Sequence, residues 1–115
     1  MTKAVGPYTP VVRAGDWLVV SGQIGVRDGA LVTGGMQAEL RQALDNLRGL
    51  LEGEGASLAD VVKTTVYMRH IDDYAAMNDI YTDVFGDHRP ARAAVAVAGL
   101  PLGALVEVEA WAFTG

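Results

Sequence analysis

Apolar positions along the chain change their spacing several times, and each change marks an element. Val11, Val12 and Arg13 read as a short strand, followed by a turn at Ala14-Gly15-Asp16. Trp17 to Ile24 reads as a second strand that forms a hairpin with the first. Arg27-Asp28-Gly29 is a further turn, and Ala30-Leu31-Val32 a brief edge strand. From Met36 to Glu54 the period lengthens: Leu40, Ala43, Leu44, Leu47, Leu50 and Leu51 recur at helical spacing. Glu39, Arg41, Asp45, Arg48 and Glu52 fall outside that stripe, which predicts an amphipathic helix with a solvated charged face, closed by Gly55. Ser57-Leu58-Ala59-Asp60 has the form of a capping box for a single turn. The β-branched run Val61 to Met68 predicts a central strand. Asp72 is a fitting N-cap for a second helix with Tyr74, Met77, Ile80, Tyr81, Val84 and Phe85 on one side, ending at Gly86. Two last strands, Ala91 to Ala98 and Ala104 to Phe113, are joined through Gly99-Leu100-Pro101-Leu102.

Runs of strands linked by two helical crossovers imply an α+β two-layer sandwich: a mixed β-sheet with both helices on one face. In the last strand Val106, Val108, Ala110 and Ala112 suit the helix-covered face. Leu105, Glu107, Glu109, Trp111 and Phe113 then lie on an open face, and an apolar patch there asks for a partner subunit. A hairpin between the last two strands would put Val95 and Val97 under the helices and Arg92, Ala94 and Ala96 on the open face. Arg92 would stand opposite Glu109 and Ala94 opposite Glu107. One cation and two carboxylates on a half-apolar face fit either an ordinary cross-strand ion pair or a functional cluster.

Length and charge narrow the function classes. With 115 residues the expectation is a single domain spanning 1–115, with a core small enough to make oligomerisation attractive. Nine Lys+Arg against 14 Asp+Glu give a net charge of -5, which lacks the basic surface that general nucleic-acid affinity needs. The absence of cysteine excludes disulfides and thiolate chemistry and suits a reducing compartment. No run approaches the roughly 18 apolar residues of a membrane span, and the N-terminus lacks the apolar centre of a signal peptide. A soluble, cytoplasmic protein without membrane partners is expected. His70 and His88 have no second histidine at ligand spacing, and Ser21 and Ser57 stand outside any nucleophile-elbow motif. Phosphate-cradling glycine loops are also missing. Spacing alone discloses no reaction.

Seven segments, taken in order, resemble the RidA family of YjgF-like proteins, the reactive-intermediate (enamine/imine) deaminases. They are Gly6-Pro7-Tyr8, Val20-Ser21-Gly22-Gln23-Ile24, Gln42-Ala43-Leu44-Asp45-Asn46-Leu47, Asp60 to Val66, Met77-Asn78-Asp79-Ile80-Tyr81, Pro90-Ala91-Arg92 and Leu105 to Ala110. The resemblance implies a chorismate-mutase-like fold, a homotrimer with sites in the clefts between subunits, and no cofactor or metal. It further implies hydrolysis of 2-imino acids (2-iminopropanoate and 2-iminobutanoate) to 2-keto acids and ammonia. On it, Arg92 matches the arginine that binds the substrate carboxylate, and Glu107 the glutamate that holds the attacking water. Tyr8, Ser21 and Asn78 match pocket residues, and Ala94 a position that acts through its main chain. Each has a plainer reading: Tyr8 as a packed aromatic, Ser21 as a strand-end hydroxyl, Asn78 as a helix-surface amide. Ala93-Ala94 after the arginine and Gly99 before Leu100-Pro101 depart from the family pattern and bear on substrate preference. Rival readings are a non-catalytic trimer that binds a small carboxylate or a protein partner, a ribonuclease, and a hydrolase of another small imine or amide.

Overall fold

The computed structural model describes Ala4 and residues 6–115. Strands β1 (Val11–Ala14) and β2 (Trp17–Gln23) form the expected hairpin, and the short pair β3 (Val26–Arg27) and β4 (Ala30–Leu31) stands apart as its own two-stranded ribbon. Helix α1 (Gly35–Gly53) follows, closed by Gly55 at φ 79°. The capping box then forms around Ser57 and Asp60 and delivers the chain into β5 (Val61–Met68). A 3-10 turn, Ile71–Asp73, precedes helix α2 (Tyr74–Phe85), so the helix starts one residue past the position that an Asp72 cap implies. Strands β6 (Ala91–Ala96) and β7 (Val106–Phe113) complete the chain.

Both helices cover one face of a mixed five-stranded sheet. Leu40, Leu44, Leu47 and Leu51 of α1 are fully buried with Leu18, Val20, Val66, Val106 and Val108 of the sheet. Each such side chain contributes about 1.5–3 kcal/mol of hydrophobic free energy on burial. The expected α+β two-layer architecture is therefore present.

The sheet order, β1-β2-β7-β5-β6, overturns the expected hairpin between the last two strands. β6 returns from α2 as a parallel crossover and pairs with β5, while β7 lies between β2 and β5. A helical crossover makes its two flanking strands neighbours, and this outweighs adjacency in sequence between β6 and β7. The connection between them is correspondingly longer than a tight turn, with a 3-10 segment Pro101–Gly103 and Leu102 at φ 58°. Register with β5 consequently inverts the faces of β6. Arg92 pairs with buried Thr64 and Ala94 with buried Val66, on the helix side; Ala96 pairs with Met68 on the same side. Val95 pairs with Tyr67 and is exposed on the open face.

Three side chains differ from the helical and strand patterns. Glu39 is buried, because Gly25 passes so near its backbone that a Cβ there would meet the Glu39 Cα at 2.6 Å. Its carboxylate accepts the Leu105 N–H at 2.8 Å, which satisfies both groups. Leu105 accordingly packs against the core and not on the open face. Tyr74 is exposed, unlike Met77, Ile80, Tyr81 and Phe85 of α2. The open face keeps Trp111 and Phe113, 47% and 40% exposed, each meeting Trp17 edge-on.

Candidate active site

Alternation along β7 sets the first half of the site. Val106 and Val108 are locked in the core, so Glu107 and Glu109 project from the opposite face. On β5, Tyr67 stands directly across from Glu107 and Thr65 across from Glu109. On β2 the register slips: Val20 pairs with Ala110 and Gln23 with Val108, so Ser21 and Gly22 share the width of one residue. The Glu107 carboxylate fills the space over Gly22, where a Cβ would lie 2.6 Å from Oε2. Glycine in a strand interior here marks the close approach of a side chain.

Ser21 fastens the N-terminal segment to this bulge. Its hydroxyl donates to the Thr9 carbonyl at 2.6 Å and its N–H to the Pro10 carbonyl at 2.8 Å. Tyr8 adjoins Thr9 in the chain and is 42% exposed. Burial pushes the Glu107 carboxyl above its usual range, and the charge of Glu109 adds to the effect. Glu109 is itself held: the Tyr67 hydroxyl donates to its Oε1 at 2.8 Å. That bond, together with burial and the nearby carboxylates, raises the Tyr67 hydroxyl pKa.

The second half forms where β6 meets α2. Arg92 lies with its guanidinium carbon 4.9 Å from the Tyr81 ring centre and 5.6 Å from that of Tyr74. Nη2 donates to the Tyr74 hydroxyl at 3.1 Å, and Nη1 approaches the Met77 sulfur at 3.6 Å. Tyr81 is fixed in turn by a 2.8 Å hydrogen bond to the buried Thr64 hydroxyl, and its own pKa is raised chiefly by burial. Asn78 is four residues after Tyr74 and three before Tyr81, and so shares their side of α2. Ala94 lies two residues along β6 from Arg92, on the same face.

Two groups thus emerge: Tyr8, Ser21 and Glu107 in one, Arg92, Asn78 and Ala94 in the other. Within one protomer Arg92 and Glu107 are on opposite faces of the sheet, and β5 separates their strands. The expected Arg92–Glu109 cross-strand pair does not exist. Among the described residues neither Arg92 nor Glu107 enters an ion pair. No three His, Asp or Glu side chains among the described residues converge as a metal site would require. His88 has a structural role, with Nε2 at 2.7 Å from the Val61 carbonyl, whereas His70 is exposed. Gly22, Tyr67, Tyr74 and Tyr81 also belong to the site. Of these only Gly22, interrupting a strand pattern, carries a local signal; the tyrosines look like core positions until the register is known.

The family model described as Endoribonuclease L-PSP matches residues 1–114. A RutC family protein of Pyrococcus horikoshii is 42% identical over 113 residues, covering 96% of this chain and 90% of its own. The human 2-iminobutanoate/2-iminopropanoate deaminase is 43% identical over 114 residues, covering 97% of this chain and 83% of its own. The crystal structure of the YjgF gene product of E. coli superposes with a TM-score of 0.91 at 38% identity, over 97% of this chain and 91% of that one. With the family model spanning nearly the whole chain and relatives above 40% identity, this protein is a member of the YjgF/RidA family.

Proposed function

We propose that this chain hydrolyses small 2-imino acids, such as 2-iminopropanoate and 2-iminobutanoate, to 2-keto acids and ammonia, and that it does so as a homotrimer. The observation that carries the reading is a guanidinium set against two tyrosines and a carboxylate lying over Gly22, neither of them in an ion pair among the described residues. A half-buried charge without a partner is costly, and a bound substrate would supply what is missing. The name of the human relative supports this substrate class.

In the proposed reaction Arg92 takes the substrate carboxylate through its free N–H groups, which fixes the imine carbon. Glu107 removes a proton from a water molecule as the water oxygen bonds to that carbon and the C=N electron pair moves to nitrogen. Glu107 returns that proton to the nitrogen to give the carbinolamine, then relays the hydroxyl proton to the nitrogen as the C–N bond breaks and the C=O forms. Ammonia and the keto acid leave, and Glu107 is ionised again. No cofactor takes part in these steps. Because Arg92 and Glu107 occupy opposite faces, they meet only if the Arg92 edge of one copy approaches the open face of another. The exposed Trp111 and Phe113 give that face apolar area for the contact.

The decisive experiment is keto-acid release from freshly generated 2-iminopropanoate and 2-iminobutanoate, with light scattering on the same sample. Release faster than the spontaneous reaction from a species of trimer mass is expected. A monomer at micromolar concentration, or no acceleration, overturns the proposal. A protein that binds 2-ketobutyrate through Arg92 without turnover would instead be a carboxylate-binding trimer. The family model's endoribonuclease label finds no support in a chain of net charge -5.

A further inference from the structure

We propose that Tyr67 and Glu109 are positioning residues for Glu107: Tyr67 pins Glu109 beside it, and the pinned charge sets the pH at which Glu107 becomes a base. The inference rests on Glu107 being the general base of the proposed reaction.

Three placements support it. Glu107 and Glu109 leave the same face of β7 two residues apart, with core neighbours Val106, Val108 and Ala110 preventing either strand face from turning. Tyr67 stands directly opposite Glu107 in the β5–β7 register, yet its hydroxyl is spent on Glu109 at 2.8 Å. The Glu107 side chain lies against Gly22 of β2, in the space a Cβ there would fill. The donated O–H fixes the Glu109 carboxylate in place, and a fixed anion disfavours ionisation of the carboxyl beside it. The upward direction for Glu107, by burial first and Glu109 second, agrees with this arrangement.

Among the described residues the groups facing Glu107 are few. From β7 there is Glu109 and from β5 Tyr67, with Lys63 farther along the same face across from Trp111. β2 contributes Ser21 and Gly22, without charge, and Ser21 holds the segment carrying Tyr8. In the trimer Arg92 of a second copy would join them and lower the Glu107 pKa. That contribution is present with or without Glu109, so the sign of the change on removing Glu109 is unaffected. A base whose pKa is raised toward the working pH also returns its proton more readily to the departing nitrogen.

The test compares the parent protein with Glu109→Gln, Tyr67→Phe and the double variant. Two measurements are made: the pH profile of kcat/KM for 2-iminobutanoate hydrolysis, and the titration of the Glu107 carboxyl carbon by NMR in glutamate-labelled protein. Glu109→Gln is expected to move both the acidic limb and the Glu107 midpoint to lower pH. Tyr67→Phe should move them in the same direction, since without the phenol hydroxyl Glu109 is no longer held beside Glu107. In the double variant, adding Tyr67→Phe to Glu109→Gln should move the midpoint no further, because the phenol acts only through Glu109. A residue that merely supported the fold would change thermal stability without this pattern.

An unmoved Glu107 midpoint in folded Glu109→Gln overturns the inference, as does a Tyr67→Phe effect that persists fully without Glu109. The titration needs no turnover. Keto-acid release by the parent together with unmoved midpoints condemns this inference alone. Failure of the parent to release keto acid condemns the deaminase reading whatever the titrations show.

Discussion

Arg92→Ala is expected to fold like the parent and to lose imine hydrolysis down to the spontaneous rate. A charge-assisted contact to a carboxylate contributes about 1.5–3 kcal/mol, which corresponds to roughly tenfold to a hundredfold in affinity. Orientation of the imine carbon is lost with it, so kcat falls as well as KM rising. Arg92→Lys should recover little. The Tyr74 and Tyr81 rings and the Tyr74 hydroxyl hold a planar group that donates from several nitrogens, and an ammonium offers one nitrogen on a flexible stem. Steady-state kinetics with 2-iminobutanoate, beside thermal melts of each variant, decide the matter. Near-normal turnover by Arg92→Lys would show that Arg92 is not the carboxylate anchor.

Glu107→Gln separates binding from chemistry. The amide keeps the shape that fits over Gly22 and cannot take a proton from water, so kcat should fall by roughly a hundredfold or more while keto-acid binding persists. In the parent, the rate should climb with pH as Glu107 ionises. Burial and the Glu109 charge push its carboxyl upward within one chain, so the climb should begin at higher pH in the parent than in Glu109→Gln. The climb should be absent from whatever activity Glu107→Gln retains. Equal turnover of parent and Glu107→Gln would remove Glu107 from the mechanism.

How far the residues themselves disclose this can be judged element by element. Helix α1 is legible because six apolar positions repeat at its period, and the capping box at Ser57 because both of its partners are local. The alternation of β7 assigns Glu107 and Glu109 to the open face for the same reason. What fails is information that no local pattern carries. The hairpin assumption for β6 and β7 puts Arg92 on the wrong face, because strand neighbours are decided by where the α2 crossover lands. Glu39 looks solvated until Gly25 and the Leu105 N–H are seen against it. The tyrosines around Arg92 and Glu109 read as core or strand residues because their hydroxyl partners lie 17 to 42 residues away in sequence. Site residues come from the family resemblance, and their grouping into two separate sets comes from the register.

That separation makes activity divisible between chains. Neither Arg92→Ala nor Glu107→Gln protein alone has a complete set, but co-refolded subunits should complement one another. Wherever the Arg92 edge of a Glu107→Gln chain meets the open face of an Arg92→Ala chain, both native side chains are present. In a closed three-fold ring every mixed trimer contains one such junction, so random assortment of equal amounts restores about a quarter of the parent's sites. A site built within one protomer would give no recovery at any mixing ratio. On the proposed trimeric assembly, two inactive alleles of this protein are expected to rescue each other.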